Sequence, residues 1–249
     1  MKSNWLVALS QPRICSTTLI CFPYAGGGAS VYRKWVPFFD RSKQILAVQY
    51  PGRETRFNEP LIRHHADLVE PVAQAIIEQC VGQKIVLFGH SMGAILAYEV
   101  AWRLQKLNVP AHLLFVSGRS APGSPSKRAR IGHLADHEFV TQLAQYKGTP
   151  TAVLENAELL ELLVPMLKCD FLLAEQYVPE QNQTHLNLPI WAFGSHQDPW
   201  IDKQSIELWH TTTNGRFDSF WFEGDHFYLN ERTLELVDKI NHIIASLDT

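Results

Sequence analysis

Short apolar runs alternate along this chain with longer stretches in which apolar residues recur every three or four positions. Residues 17–22, 45–50, 84–88, 112–117, 190–194 and 216–222 are runs of strand length, stopped by glycine, proline or polar clusters. They read as buried strands. Helical spacing covers 30–39, with Ser30 as its cap, and then 66–80, 91–107, 136–146, 156–177, 202–210 and 230–246. The alternation predicts an α/β domain, a mainly parallel sheet with helices on both faces. It breaks once. Between the runs ending at 117 and starting at 190 there are only helical patterns. The expected organisation is a core of 1–117 and 190–249 interrupted by a helical lid insertion, 118–189.

Composition narrows the class. The chain has 249 residues, 46% hydrophobic and 19% charged, with a net charge of −3. This suits a sizeable core and excludes the strongly basic balance of a nucleic-acid binder. No stretch reaches the roughly 18 uninterrupted apolar residues of a membrane span. The N-terminus lacks the apolar run of a secretory signal, so a cytoplasmic protein is expected. A monomer is the expected state. Cys15, Cys21, Cys80 and Cys169 are scattered, without a CxxC pair. That spacing predicts no metal site, and without an export signal reduced thiols are expected.

Gly89-His90-Ser91-Met92-Gly93 matches G-x-S-x-G. It directly follows the strand at 84–88 and opens the helix at 91–107, the strand–turn–helix setting of a nucleophile elbow. Side chains two residues either side of such a serine would collide, which explains both glycines. The turn lifts the hydroxyl above the sheet's carboxyl edge and sets Met92 N–H at a helix N-terminus, where an oxyanion is stabilised.

A serine hydroxyl needs a base. Of eleven histidines, His226 is best placed, in the loop after the last strand, since loops at strand carboxyl ends converge on one site. The acid belongs between the two in sequence. Asp198 follows the strand at 190–194 and fits. Its rival Asp225 is too close to His226 for a good Nδ1 contact, and Asp202 reads as a helix cap. His90 and His196 read as wall or packing residues. The second oxyanion donor is assigned to Ala25 N–H, in the glycine-rich loop after the first strand. A dinucleotide fingerprint through Gly26 and Gly28 would need glycine or alanine at Val31, and no P-loop pattern occurs, so no cofactor is expected.

Six segments in order carry a family resemblance: Cys21-Phe22-Pro23-Tyr24-Ala25-Gly26-Gly27, Gln49-Tyr50-Pro51-Gly52-Arg53-Glu54, the elbow, Ser117-Gly118-Arg119-Ser120-Ala121-Pro122, Asp170-Phe171-Leu172-Leu173-Ala174-Glu175-Gln176-Tyr177 and Gly224-Asp225-His226-Phe227. Together they resemble the type II thioesterases that accompany nonribosomal peptide and polyketide synthases. The acid loop departs slightly, with Ser195-His196 where a second glycine is commoner. The resemblance implies the α/β-hydrolase fold. It also implies hydrolysis, through an acyl-enzyme, of aberrant or stalled acyl groups from the phosphopantetheine thiol of a carrier protein. The residues alone establish acyl transfer to water. An acyl-coenzyme A thioesterase or small-molecule carboxylesterase remains an alternative, as do a receptor with this fold and an acyltransferase.

Other features stay open between a bland and a sharp reading. Leu154, Leu159, Leu160, Leu163, Leu167, Phe171 and Leu172 form an apolar stripe that packs on the core or lines an acyl chamber. Asp170 and Glu175 on the same helix read as solvated or structural. Lys127-Arg128-Ala129-Arg130 is the densest positive cluster, either a solvated loop or a docking surface for an acidic carrier protein. Arg53 and Arg119 either touch the pantetheine arm or anchor a loop.

Overall fold

Side chains alternate across a strand, and here the alternation divides each apolar run between two faces. Ile20, Phe22, Ile85, Leu87, Leu114 and Val116 enter one core cluster. Leu19, Cys21, Val86, Phe88, Leu113 and Phe115 enter the other. Both faces of these strands are therefore covered, as a central parallel sheet requires. The computed structural model describes residues 4–12, 15–146, 148–180 and 183–247.

Seven strands form one sheet: β1 (Leu6–Ala8), β2 (Thr17–Phe22), β3 (Gln44–Val48), β4 (Lys84–His90), β5 (Leu113–Ser117), β6 (Ile190–Ser195) and β7 (Phe217–Phe222), in the order β1-β3-β2-β4-β5-β6-β7. All neighbours are parallel except β1 with β3. Helices α1 (His65–Gln79) and α2 (Met92–Lys106) supply the first cluster. On the opposite face lies the C-terminal helix, preceded by a single helical turn. The segment between β5 and β6 carries α3 (Asp136–Leu143), α4 (Thr151–Leu154) and α5 (Ala157–Glu175). They share a third apolar cluster with Phe139, Tyr146, Met166 and Phe171 at its centre. Asn156 caps α5, accepting the Leu159 N–H at 3.1 Å. Beyond β6 come α6 (Lys203–Glu207), α7 (Tyr228–Glu231) and α8 (Thr233–Ala245).

The mainly parallel sheet with helices on both faces is the α/β class expected. Three local expectations are corrected. The helix expected at 30–39 is a 3₁₀ helix, Ala29–Trp35, with Gly28 at its cap position. Ser30 instead donates its N–H and Oγ to Glu54, at 3.2 and 2.5 Å. The last helix is broken at Arg232 into α7 and α8. Strand β1 went unpredicted because three residues are too short to display a period.

Candidate active site

Ser91 stands in the tight turn between β4 and α2 with φ 54° and ψ −113°, a conformation that costs a non-glycine residue energy and persists only where the surroundings enforce it. The flanking glycines are the enforcement. A Cβ on Gly89 would lie 2.1 Å from the Gly93 carbonyl oxygen, and one on Gly93 would lie 2.0 Å from that of Phe22. No larger side chain fits either place. Ser91 N–H donates to Ser117 O at 2.8 Å, which ties the elbow to β5.

His226 follows β7 and is 3% exposed. Its Nδ1 lies 2.6 Å from Asp198 Oδ2, in the loop after β6. The second carboxylate oxygen accepts the Trp200 N–H at 2.9 Å. The loops carrying the two residues are tied together, because Ser195 Oγ donates to Asp225 O at 2.9 Å. Asp225 itself caps the Phe227 N–H at 2.8 Å. Asp202 caps α6, accepting the Ser205 N–H at 2.7 Å. Asp202 is thus the helix cap expected, and Asp225 is taken up by the backbone of its own loop.

The imidazole of His226 packs against His90, Trp200 and Phe227. Burial pushes it below the ordinary histidine value of about 6.5; Asp198 opposes the shift, while Arg128 and Arg119 reinforce it. A neutral imidazole at neutral pH follows, the form able to accept a proton. Its Nε2 is buried and makes no hydrogen bond among the described residues. Ser91 and His226 line the same cavity, of about 190 Å³. The geometry therefore brings Ser91, His226 and Asp198 together, with the Asp–His leg closed and the Ser–His leg open. Ala25 and Met92 line a cavity with Ser91 as well. Neither backbone N–H is used in a hydrogen bond among the described residues.

His90 is neutral and structural: burial holds it well below the usual histidine range. It contacts Ser117 Oγ at 2.9 Å, which contacts the Tyr228 hydroxyl at 2.5 Å. His196 is exposed beside Trp221.

Two cavities of contrasting character meet at Ser91. The first is bordered by Arg119, Ser120, Tyr177 and Trp200. The second, about 170 Å³, is bordered by Leu163, Met166, Leu167, Phe171 and Tyr24. Four residues of α5 thus line this second cavity, whereas Leu159 of the same apolar stripe is 39% exposed.

Arg128 borders both cavities. Its guanidinium carbon lies 4.3 Å from the Tyr146 ring centre and 4.7 Å from that of Trp200. The basic cluster is therefore no uniform solvated surface. Lys127 pairs with Asp202 at 2.6 Å, and Arg128 turns inward. Arg53 anchors a loop and Asp170 is structural, each one side of the two readings left open. They form a buried, bidentate ion pair, with contacts of 2.6 and 2.8 Å. Glu175 accepts the N–H groups of Ile131 and Gly132. Arg119 donates to Ala174 O at 2.8 Å. No periodicity marks such partners, since each pair joins distant segments.

Residues 17–244 match the thioesterase domain family. The gramicidin S biosynthesis protein GrsT of Aneurinibacillus migulanus is 37% identical over 238 residues, spanning 95% of this chain and 92% of that protein. Thioesterase PikA5 of Streptomyces venezuelae is 34% identical, over 97% and 86% of the two chains. Among solved structures, ClbQ from the colibactin NRPS/PKS pathway superposes with a TM-score of 0.88 at 29% identity, covering 94% of this chain and 98% of that one. The type II thioesterase BorB from the borrelidin cluster does so with a TM-score of 0.86 at 31% identity and 96% coverage of each.

Proposed function

This chain belongs to the thioesterase domain family, and from that premise we propose that Ser91, His226 and Asp198 act as a triad hydrolysing carrier-bound acyl thioesters. The chain is a serine-dependent thioester hydrolase of the type II kind found with nonribosomal peptide and polyketide synthases. The substrate is an aberrant or stalled acyl group on the phosphopantetheine thiol of a carrier protein. This rests on relatives such as YbtT, a type II thioesterase from the yersiniabactin NRPS/PKS pathway. The observation that carries the mechanism is the buried 2.6 Å contact between His226 Nδ1 and Asp198, with His226 Nε2 free of any hydrogen bond among the described residues and in the cavity that Ser91 lines.

Ser91 Oγ attacks the thioester carbonyl carbon while His226 Nε2 takes its proton. Hydrogen bonds of this kind often tighten only with substrate in place. The N–H groups of Ala25 and Met92 hold the oxyanion, the α2 N-terminus adding its dipole. Asp198 keeps the imidazole in the right tautomer and stabilises its protonated form. The C–S bond breaks, and the thiol leaves with the proton from His226. Water then attacks the acyl-serine, gives its proton to His226, and releases the carboxylic acid and Ser91.

Residues 118–189 serve as the lid. The acyl chain lies in the cavity lined by Leu163, Met166, Leu167 and Phe171, and the pantetheine arm enters along the more polar one beside Arg119, Ser120 and Tyr177. The test is intact-mass analysis of acyl-carrier proteins, acyl-coenzyme A and a simple ester, each incubated with the enzyme. Faster deacylation of the carrier supports this reading. Preference for coenzyme A or the free ester refutes the carrier assignment.

A further inference from the structure

Asp170 and Arg53 are 2% and 6% exposed. They belong to different parts of the molecule, Asp170 to α5 and Arg53 to the loop after β3. Both grip the backbone beside Ala25. Asp170 Oδ2 accepts the Gly26 N–H at 2.7 Å, and Arg53 Nη1 donates to Gly27 O at 3.2 Å. The same two side chains bond each other through both carboxylate oxygens. Burial disfavours the charge on Arg53, but Asp170 outweighs this and holds the guanidinium above its ordinary range.

Gly26 is in the left-handed region at φ +81°, and a Cβ there would lie 2.6 Å from Leu167 Cδ2, one turn ahead of Asp170 on α5. The helix therefore presses on the loop and also supplies its acceptor. A carboxylate on Gly26 N–H fixes the plane of the peptide joining Ala25 to Gly26. The Ala25 N–H lies in the preceding peptide plane, joined to this one through Ala25 Cα, so anchoring the one restrains the range of directions open to the other. A packed apolar pair in place of the ions would anchor the helix as firmly. It would lack the acceptor for Gly26 and the donor for Gly27.

We propose that Asp170, locked by Arg53, is a positioning residue that orients the Ala25 N–H toward the developing oxyanion. The lid helix thereby builds one wall of the catalytic site. This rests on the reading of Ala25 as an oxyanion donor. Its contribution is to the transition state, because the charge on the carbonyl oxygen develops only there. Loss of a whole oxyanion donor lowers kcat by about 10²–10³-fold, and misdirecting one falls within that range.

The experiment compares two inhibitors built on one acyl-pantetheine frame, a trifluoromethyl ketone that becomes an oxyanion on Ser91 and an unreactive thioether. Active enzyme is counted with a fluorophosphonate. Asp170→Asn is expected to lower kcat about tenfold or more at little-changed KM. It weakens the ketone in parallel and leaves thioether affinity unchanged. The double variant R53M/D170L strands no buried charge, so it keeps the fold testable, and it is expected to show the same split. Wild-type kcat per active site in both variants overturns the proposal, as does equal weakening of both inhibitors. A wild-type enzyme that binds the ketone no better than the thioether sinks the oxyanion assignment itself, and the proposal with it.

Discussion

Arg128 lies with its guanidinium carbon 4.7 Å from the centre of the Trp200 ring, and that ring meets the His226 imidazole edge-on at 5.2 Å. A cation is thus held near the proposed base, where it lowers the imidazole's basicity. Removing the cation makes protonation easier, and His226 must be neutral to accept a proton. In Arg128→Met the acid limb of the kcat/KM profile is expected to move to higher pH. The wild-type limb lies below about 6.5. A limb that stays put or moves to lower pH contradicts this placement of Arg128.

Ser91→Ala removes only the nucleophile. We expect kcat to fall about 10⁴–10⁶-fold. The melting temperature should hold or rise, because a strained residue is being replaced by a smaller one. Mass spectrometry of the wild type, but not of the variant, should trap the acyl-enzyme. Near-normal turnover in the variant removes Ser91 from the chemistry.

Asp198→Asn keeps the shape of the acid loop but offers His226 Nδ1 an amide instead of a carboxylate. The imidazole is then free to turn to the wrong tautomer. A drop in kcat of about 10³–10⁴-fold at similar KM is expected. Asp225→Asn, which keeps an acceptor for the Phe227 N–H, should cost less than tenfold. The reverse ranking would reassign the acid.

Leu163→Trp adds bulk to the cavity proposed for the acyl chain. Its kcat/KM for a medium-length acyl thioester should fall at least about tenfold relative to the acetyl thioester, the scale on which hydrophobic pockets discriminate by size. An unchanged ratio would put the chain elsewhere.

Glycine substitution reads the elbow as a steric device. Gly93→Ala forces a Cβ to within 2.0 Å of the Phe22 carbonyl oxygen. We expect a loss of about 3–5 kcal/mol in unfolding free energy, measured by denaturant titration, because backbone must move at the sheet's centre.

The strands and the elbow were legible because their causes are local. The short apolar runs of β2, β4 and β5, buried along nearly their whole length, need only consecutive residues to be seen. Gly89 and Gly93 are dictated by the turn that Ser91 makes. His226 and Asp198 were singled out by their places after strands, and parallel topology, which gathers those loops at one edge, sets their side chains 2.6 Å apart. Ser30 misled because it sits where a cap is expected, and the chemistry that claims it, Glu54, comes from another loop.

What the sequence determined by itself is the layered α/β architecture and the identity of the groups at the strand ends. Both follow from short-range periodicity, turn sterics and chain order. What only the tertiary structure decided is where the long charged side chains point: Arg128 into an aromatic cage, and Arg53 onto Asp170, 117 positions away. A flexible side chain takes the partner that lowers its desolvation cost, and which partner stands within reach is known only once the sheet and the helices of 118–189 have come together.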